Sequence, residues 1–302
     1  MSSSSALRLD QIYDLKNRVA LVTGGGTGIG WMIAQGLAEN GAKVYITGRR
    51  KDVLERSAQS FNANKSASGG EIIPLVMDVT DKESISNAQK EIQAKEGKLH
   101  VLVNNAGITG PVSRFFNDTT APEHKDAETL GRAMFEHESF EEWANVYKSN
   151  TFSIYFVTMA FLGLLAKGSE DTEGYTSCVV NITSISGIIK VAQCHFGYNS
   201  AKAAASHLTK MLATEFALKK IPVRVCAVAP GVYESEMTAA RLAADSVDKV
   251  GLGVVSVPVQ RPGTAGEVAG TVIYLVSPAG CFTNGQEIVI DGGYTVVNPA
   301  RV

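Results

Sequence analysis

Apolar positions along the chain follow two alternating rhythms: short β-branched runs, and longer stretches in which they return every three or four residues. Arg18–Thr23 is a β-branched run that ends in glycines, and Ile29 to about Glu39 has helical spacing, stopped by Asn40-Gly41. Lys43–Thr47 predicts a second strand, followed by a helix from about Asp52 and a polar loop at Asn64–Gly70. Ile72–Met77 and Leu99–Val103 predict further strands, with the charged helix Lys82–Glu96 between them. A long helix is expected from Phe140 to about Lys167, then a loop at Gly168–Thr176 and a strand at Cys178–Thr183. The pattern closes with a helix from about Tyr198 to Lys219, a strand at Val223–Val228, a helix at Ala265–Val276 and a last strand at Glu287–Ile290.

Strands joined by helices of this length require a parallel sheet covered on both faces. The fold class is therefore α/β, a single doubly wound domain over 16–302 behind an N-terminal tail at 1–15, with no internal repeat or composition break. Two stretches interrupt the alternation. Thr109–Glu138 contains two prolines and little apolar periodicity, which makes it a lid, an interface or a disordered insertion. Tyr233–Arg261 is a long loop. Both follow C-terminal strand ends, where open α/β sheets bind ligands, so both are expected to shape a substrate pocket. The second is expected to close over a bound cofactor.

Composition narrows the function. The 302 residues are 45% hydrophobic and 19% charged, as in a globular chain. Lysine plus arginine number 28 against 30 acids, a net charge of −2, so nothing resembles the basic footprint of a nucleic-acid binder. The N-terminus MSSSSALRLD lacks the apolar core of a signal peptide. The longest apolar stretch, Thr151–Ala166, falls short of the ~20 residues of a membrane span and contains Ser153 and Thr158. A cytoplasmic protein without membrane attachment is expected. Cys178, Cys194, Cys226 and Cys281 show no metal-ligand spacing and are read as reduced thiols, with no metal site.

Thr23-Gly24-Gly25-Gly26-Thr27-Gly28-Ile29-Gly30 joins the first strand to the first long helix. Glycines let a backbone turn close against a pyrophosphate, whose charge the helix N-terminus favours. An NAD site ends its second strand in an acid that takes the ribose hydroxyls. This chain instead has Gly48-Arg49-Arg50, two guanidinium groups suited to a 2′-phosphate, so NADP(H) is the expected cofactor. If the arginines are merely solvated, NAD(H) becomes the alternative. Asp78, closing the third strand, could accept the adenine amino group. Tyr198 and Lys202 lie four apart on a predicted helix and so share a face, where an ammonium should lower the phenol pKa.

These residues stand in company. With Asp78-Val79, Asn104-Asn105-Ala106-Gly107, Asn150, Ser184, Pro230-Gly231 and Ile290-Asp291-Gly292-Gly293, they resemble the short-chain dehydrogenase/reductase family over about Lys16 to Asn298. Ala229–Thr238 and the long insertion look like fungal carbonyl or 3-oxoacyl-type reductases. The resemblance implies reversible NADP(H)-dependent reduction of a small carbonyl compound to a secondary alcohol. Tyr198 would donate the proton, Lys202 would lower its pKa and hold the nicotinamide ribose, and Ser184 would orient the carbonyl. Asn150 would hold a water that links Lys202 to solvent. Asn105, Ala106 and Gly107 would line the adenosine side, with Asn105 making a backbone contact. Pro230, Gly231 and Val232 would pack on the nicotinamide, and Ser235 would bond its carboxamide.

Two departures stand out. Thr27 occupies a position where many NADP-using relatives carry a basic residue, so the phosphate rests chiefly on Arg49, with Arg50 beside it. The Ser184-to-Tyr198 gap is slightly long, which leaves Ser186 as a substitute. The alternatives are an NAD-dependent alcohol dehydrogenase and, in another class, an idle dinucleotide-binding scaffold or redox sensor. His195 and Cys194 are read as ordinary packing residues with a substrate contact as the alternative, and Trp31 as exposed or at an interface. Phe152, Tyr155, Phe156, Met159 and Phe161 give the long helix surplus aromatic surface. Family relatives pair this helix and the Tyr198 helix about a two-fold axis, so a homodimer or homotetramer is expected. The alternative is a helix buried all round inside one subunit.

Overall fold

The computed structural model describes residues 7–236, 238, 247 and 251–300. Its strands are β1 (Val19–Thr23), β2 (Lys43–Gly48), β3 (Glu71–Val76), β4 (Val101–Asn104), β5 (Ser177–Ile182), β6 (Val223–Pro230) and β7 (Glu287–Ile290). They form one parallel sheet in the order β3-β2-β1-β4-β5-β6-β7. The described helices are α1 (Leu9–Ile12), α2 (Gly28–Glu39), α3 (Lys51–Asn64), α4 (Lys82–Glu96) and α5 (Ala127–His137). After them come α6 (Phe140–Tyr147), α7 (Ser153–Glu170), α8 (Phe196–Leu218), α9 (Ala265–Val276) and α10 (Tyr294–Val297). Strand order turns back between β1 and β4, the switch point at which a doubly wound sheet opens a crevice.

Alternation along each strand feeds two cores. Ala20 and Val22 of β1 join α2, α3 and α9 on one face, and Val19 and Leu21 join α4, α7 and α8 on the other. Each fully buried Val, Ile or Leu contributes about 1.5–3 kcal/mol, so this double cover holds the strand ends in place. Cys178 and Cys226 lie in the first core. Trp31, expected to be exposed or at an interface, is half-buried against the same core, because α2 turns that side toward the sheet. Within the stretch read as a tail, Leu9–Ile12 is a helical turn and Leu15 is fully buried.

The long helix is not continuous. A π turn over Lys148–Phe152 separates α6 from α7, and it carries Asn150 and Thr151 into buried positions. The helical run Phe140–Glu170 is 31 residues long and, by length and composition alone, apolar enough to cross a membrane, a test that a buried core helix also passes. Half of its most apolar window is buried. Its Ile154, Val157, Phe161, Leu164 and Leu165 pack in the second core, so Phe161 is no surface aromatic.

Thr109–Glu138 is also more ordered than its pattern implied. It folds as two 3-10 turns, Arg114–Asn117 and Pro122–Lys125, and then α5, whose first turn is capped by the Asp126 carboxylate accepting from Thr129 N at 2.8 Å. No residue of α5 is buried, although Leu130, Ala133 and Met134 recur at helical spacing and are half-buried. Glu138 ties the insertion down, accepting from Ser113 Oγ and Trp143 Nε1, each at 2.6 Å. Of the loop read at Tyr233–Arg261, residues 237, 239–246 and 248–250 lie outside the described residues.

Candidate active site

The C-terminal strand ends open on one cleft of about 820 Å³. Its first wall is the glycine turn after β1. Gly28 has φ +54°, and a Cβ on it would lie 2.9 Å from Ser235 Cβ, so the loop after β6 already crosses this turn. Asn105 and Thr23 brace the turn from behind. Asn105 Nδ2 donates to Thr23 O (2.9 Å) and Gly24 O (3.2 Å), while Thr23 Oγ1 accepts from the Asn105 and Ala106 amides (2.9 and 3.0 Å). The Asn105 side chain is thus spent on the scaffold, an assignment its motif could not give.

At one end of the cleft stand Arg49, Arg50 and Asp78. Arg49 is exposed and makes no side-chain hydrogen bond or ion pair with another described residue. Arg50, expected beside a phosphate, is instead paired with Glu236 at 2.7 Å, and Thr27 Oγ1 also donates to Glu236 at 3.3 Å. The physical reason is proximity: the loop after β6 brings a carboxylate across to the start of α3. Burial pushes the Asp78 carboxyl up, but the Thr80 amide and hydroxyl and the charge of Arg49 outweigh it, and the net shift is downward. Thr47 Oγ1, wholly buried at the end of β2, has no hydrogen-bond partner, and its residue lines the same cleft.

At the other end stand Ser184, Tyr198 and Lys202. Ser184 begins a 3-10 turn, its Oγ accepting from Ser186 N at 3.1 Å, and it lines the cleft together with Tyr198. Ser186 is not free to replace it, since its Oγ donates to Gln193 Oε1 at 2.6 Å. Lys202 Nζ donates to Ile182 O at 2.8 Å and lies 5.7 Å from the Tyr198 ring centre. Burial brings the Lys202 ammonium down to about 8. The Tyr198 phenol moves the other way from the expected direction. Desolvation raises it above its ordinary value, and the Ser184 hydroxyl opposes this only in part.

Asn150 does not line the cleft but clamps its floor. Its Oδ1 accepts from Ile108 N and its Nδ2 donates to Ile108 O, both at 2.8 Å. A Cβ on Gly107 would come 2.5 Å from Asn150 Oδ1, so a side chain there would disrupt this pair. Thr23 and Gly30 likewise support the walls without lining them. The remaining predicted positions, Gly24, Thr27, Gly28, Ile29, Val79, Ala106, Gly107, Pro230, Gly231, Val232 and Ser235, all line the cleft with the residues above. Ser235 Oγ bonds Thr238 Oγ1 at 3.0 Å.

Sequence reading missed Gln193, Arg114 and Glu236. Gln193 and Cys194 both have positive φ (54° and 65°), a strained pair just before α8. Gln193 is buried and donates to Gly251 O at 2.6 Å, linking the Ser184 turn to the segment beyond β6. His195 sits edge-on to the Tyr198 ring at 5.2 Å and lines the cleft, closer to the chemistry than an ordinary packing residue. Among the described residues no cluster could hold a metal ion.

A glycine turn with an arginine at the end of β2 makes a cradle suited to a dinucleotide, with a Ser–Tyr–Lys group at its far end. Comparisons with known proteins agree. A family model described as enoyl-(acyl carrier protein) reductase matches residues 24–295. The short-chain dehydrogenase/reductase VdtF of Byssochlamys spectabilis is 36% identical, with 98% of each chain covered. The NADP-dependent (R)-specific alcohol dehydrogenase of Lentilactobacillus kefiri is 32% identical over 93% of this chain and 98% of its own. Among solved structures, the Pseudomonas aeruginosa RhlG/NADP active-site complex superposes with a TM-score of 0.78 at 29% identity, covering 94% of this chain and 98% of that one. The chain belongs to the short-chain dehydrogenase/reductase family, oxidoreductases that bind nicotinamide dinucleotides and act on CH–OH or C=O groups of small molecules.

Proposed function

We propose that this protein reduces a carbonyl compound to a secondary alcohol with NADPH, reversibly, and that Tyr198 is its proton donor. The observation that carries the reading is that Ser184, Tyr198 and buried Lys202 come together at one end of the dinucleotide cleft, with Lys202 Nζ 5.7 Å from the Tyr198 ring centre. A phenol whose pKa is raised stays protonated at neutral pH, the form needed to give a proton to a carbonyl oxygen. Ser184 and Tyr198 together offer two hydroxyls to the oxygen as negative charge develops on it. Bound in the cleft, the cofactor would supply the hydride. Lys202 holds a positive charge at that end, and Asn150 keeps Ile108, and so the floor, in place. Arg49 supports a 2′-phosphate and therefore NADP(H), the cofactor named for the Lentilactobacillus relative and the Pseudomonas structure.

Purified protein mixed with ketones, quinones and 3-oxoacyl thioesters should consume NADPH, followed by absorbance. The family description names an enoyl reductase, so 2-enoyl thioesters belong in the same panel. Tyr198→Phe should lower turnover by about 10²- to 10⁴-fold while NADPH binding, read by fluorescence, persists. Wild-type turnover in Tyr198→Phe would overturn the assignment.

A further inference from the structure

Most arginines among the described residues are spoken for. Arg8, Arg50, Arg56, Arg132 and Arg261 pair with carboxylates, Arg18 lies over the Tyr175 ring, and Arg224 donates to buried carbonyls. Among the described residues, Arg49 and Arg114 alone have guanidinium groups without a hydrogen bond or ion pair, and both line the same cleft. Arg49 stands at the end of β2. Arg114 stands at the other end, with Val112, Gln193 and His195, on the side of Tyr198.

The segment that carries Arg114 is pinned on both sides. Ser113 N donates to Cys194 O at 2.8 Å and Ser113 Oγ to Glu138 at 2.6 Å, while Phe116 packs edge-on against Phe196 at 5.1 Å. Its backbone is thus fixed to the loop that leads into α8 and Tyr198. The described carboxylates that line the cleft are Asp78 and Glu236. Asp78 is held by Thr80, and Glu236 is paired with Arg50, so neither neutralises Arg114. A cation carried on a pinned segment beside a reaction cleft, with no counter-ion among the described residues, is a place for an anion brought by the substrate.

We infer that Arg114 is the substrate-anion contact of this cleft and that the preferred substrate is a carbonyl compound bearing an anionic oxygen group, a carboxylate or a phosphate. The inference rests on the carbonyl-reductase reading above, and its test separates the two. With NADPH present, 2-, 3- and 4-acetylbenzoate are compared with their methyl esters, as substrates or as competitors of whichever ketone is reduced. A 3-oxoacyl pantetheine is compared with and without its terminal phosphate in the same way.

At least one anion should be favoured over its neutral partner by about 10- to 150-fold, the factor a hydrogen bond to a charged group provides. Arg114→Gln should bring that ratio close to one, and Arg114→Lys should restore part of it. A carboxylate or a phosphate is then identified by which pair responds. Equal handling of anion and neutral partner by the wild type, or a preference that survives Arg114→Gln, overturns the inference while reduction of ketones still stands. Failure of every carbonyl compound to consume NADPH overturns the function, and the inference with it.

Discussion

His100 is fully buried at the start of β4, where its Nδ1 accepts from Val19 N at 2.9 Å and its Nε2 faces Asp171 Oδ2 at 3.2 Å. Burial lowers its pKa to about 4 from the ordinary 6.5, and the Asp171 hydrogen bond recovers only part of that. The unfolded chain takes up this proton near 6.5, whereas the folded chain refuses it until about 4. Between those values the unfolded state binds more protons, so acid favours unfolding, with up to ~3 kcal/mol at stake. Chemical denaturation should show wild-type stability falling from pH 6.5 to 4 more steeply than that of His100→Gln. Parallel curves would remove His100 as the cause. The same principle governs Lys202 and Tyr198, whose titration is set more by removal from water than by their closeness in sequence. A four-residue spacing tells which face two groups share. It does not tell how dry that face is.

At the scale of elements, the loop after β6 and the start of α3 meet through Arg50 and Glu236, 186 residues apart. Both side chains are more than half exposed, so their ion pair is worth at most ~1 kcal/mol. Arg50 can serve a 2′-phosphate only by releasing Glu236, whereas Arg49 needs to release nothing. Two substitutions should therefore move cofactor choice in opposite directions. Arg49→Ala should lower the ratio of NADPH to NADH affinity by about 10- to 150-fold, and Glu236→Gln should raise it by no more than about fivefold. Titrations monitored by cofactor fluorescence check both, and an Arg49→Ala ratio equal to wild type would move the phosphate contact elsewhere. Contacts of this kind have no local signature, which is why Glu236 and Arg114 escaped a reading by motif. Elements with clear ends were legible: α4 lies between Asp81 and Gly97, α9 starts at a Thr264–Glu267 capping box, and their ranges match the sequence pattern. The π turn at Asn150 was not, because one extra residue in a turn has no composition signature of its own.

Across the whole molecule, exposed large apolar side chains among the described residues occur on many elements, Phe140 and Phe282 among the most exposed, and one group of them lies on α7 and α8. Tyr155 and Phe156 of α7, with Phe152 just before it, remain 44%, 40% and 49% exposed, although the opposite side of α7 is wholly given to the second core. Met211 and Leu218 of α8 are exposed as well, at 51% and 73%. A soluble surface rarely keeps aromatic groups of this size side by side without covering them. We predict that a second copy of the chain covers them, in a homodimer or homotetramer. In a two-fold interface each substitution enters twice, so a single buried charge is opposed on both sides of the axis. Phe156→Glu combined with Met211→Glu should therefore shift the sedimentation coefficient to that of a 32.1 kDa monomer. A wild-type protein that already sediments as a monomer at micromolar concentration would leave these aromatics to another partner, and the prediction would fail.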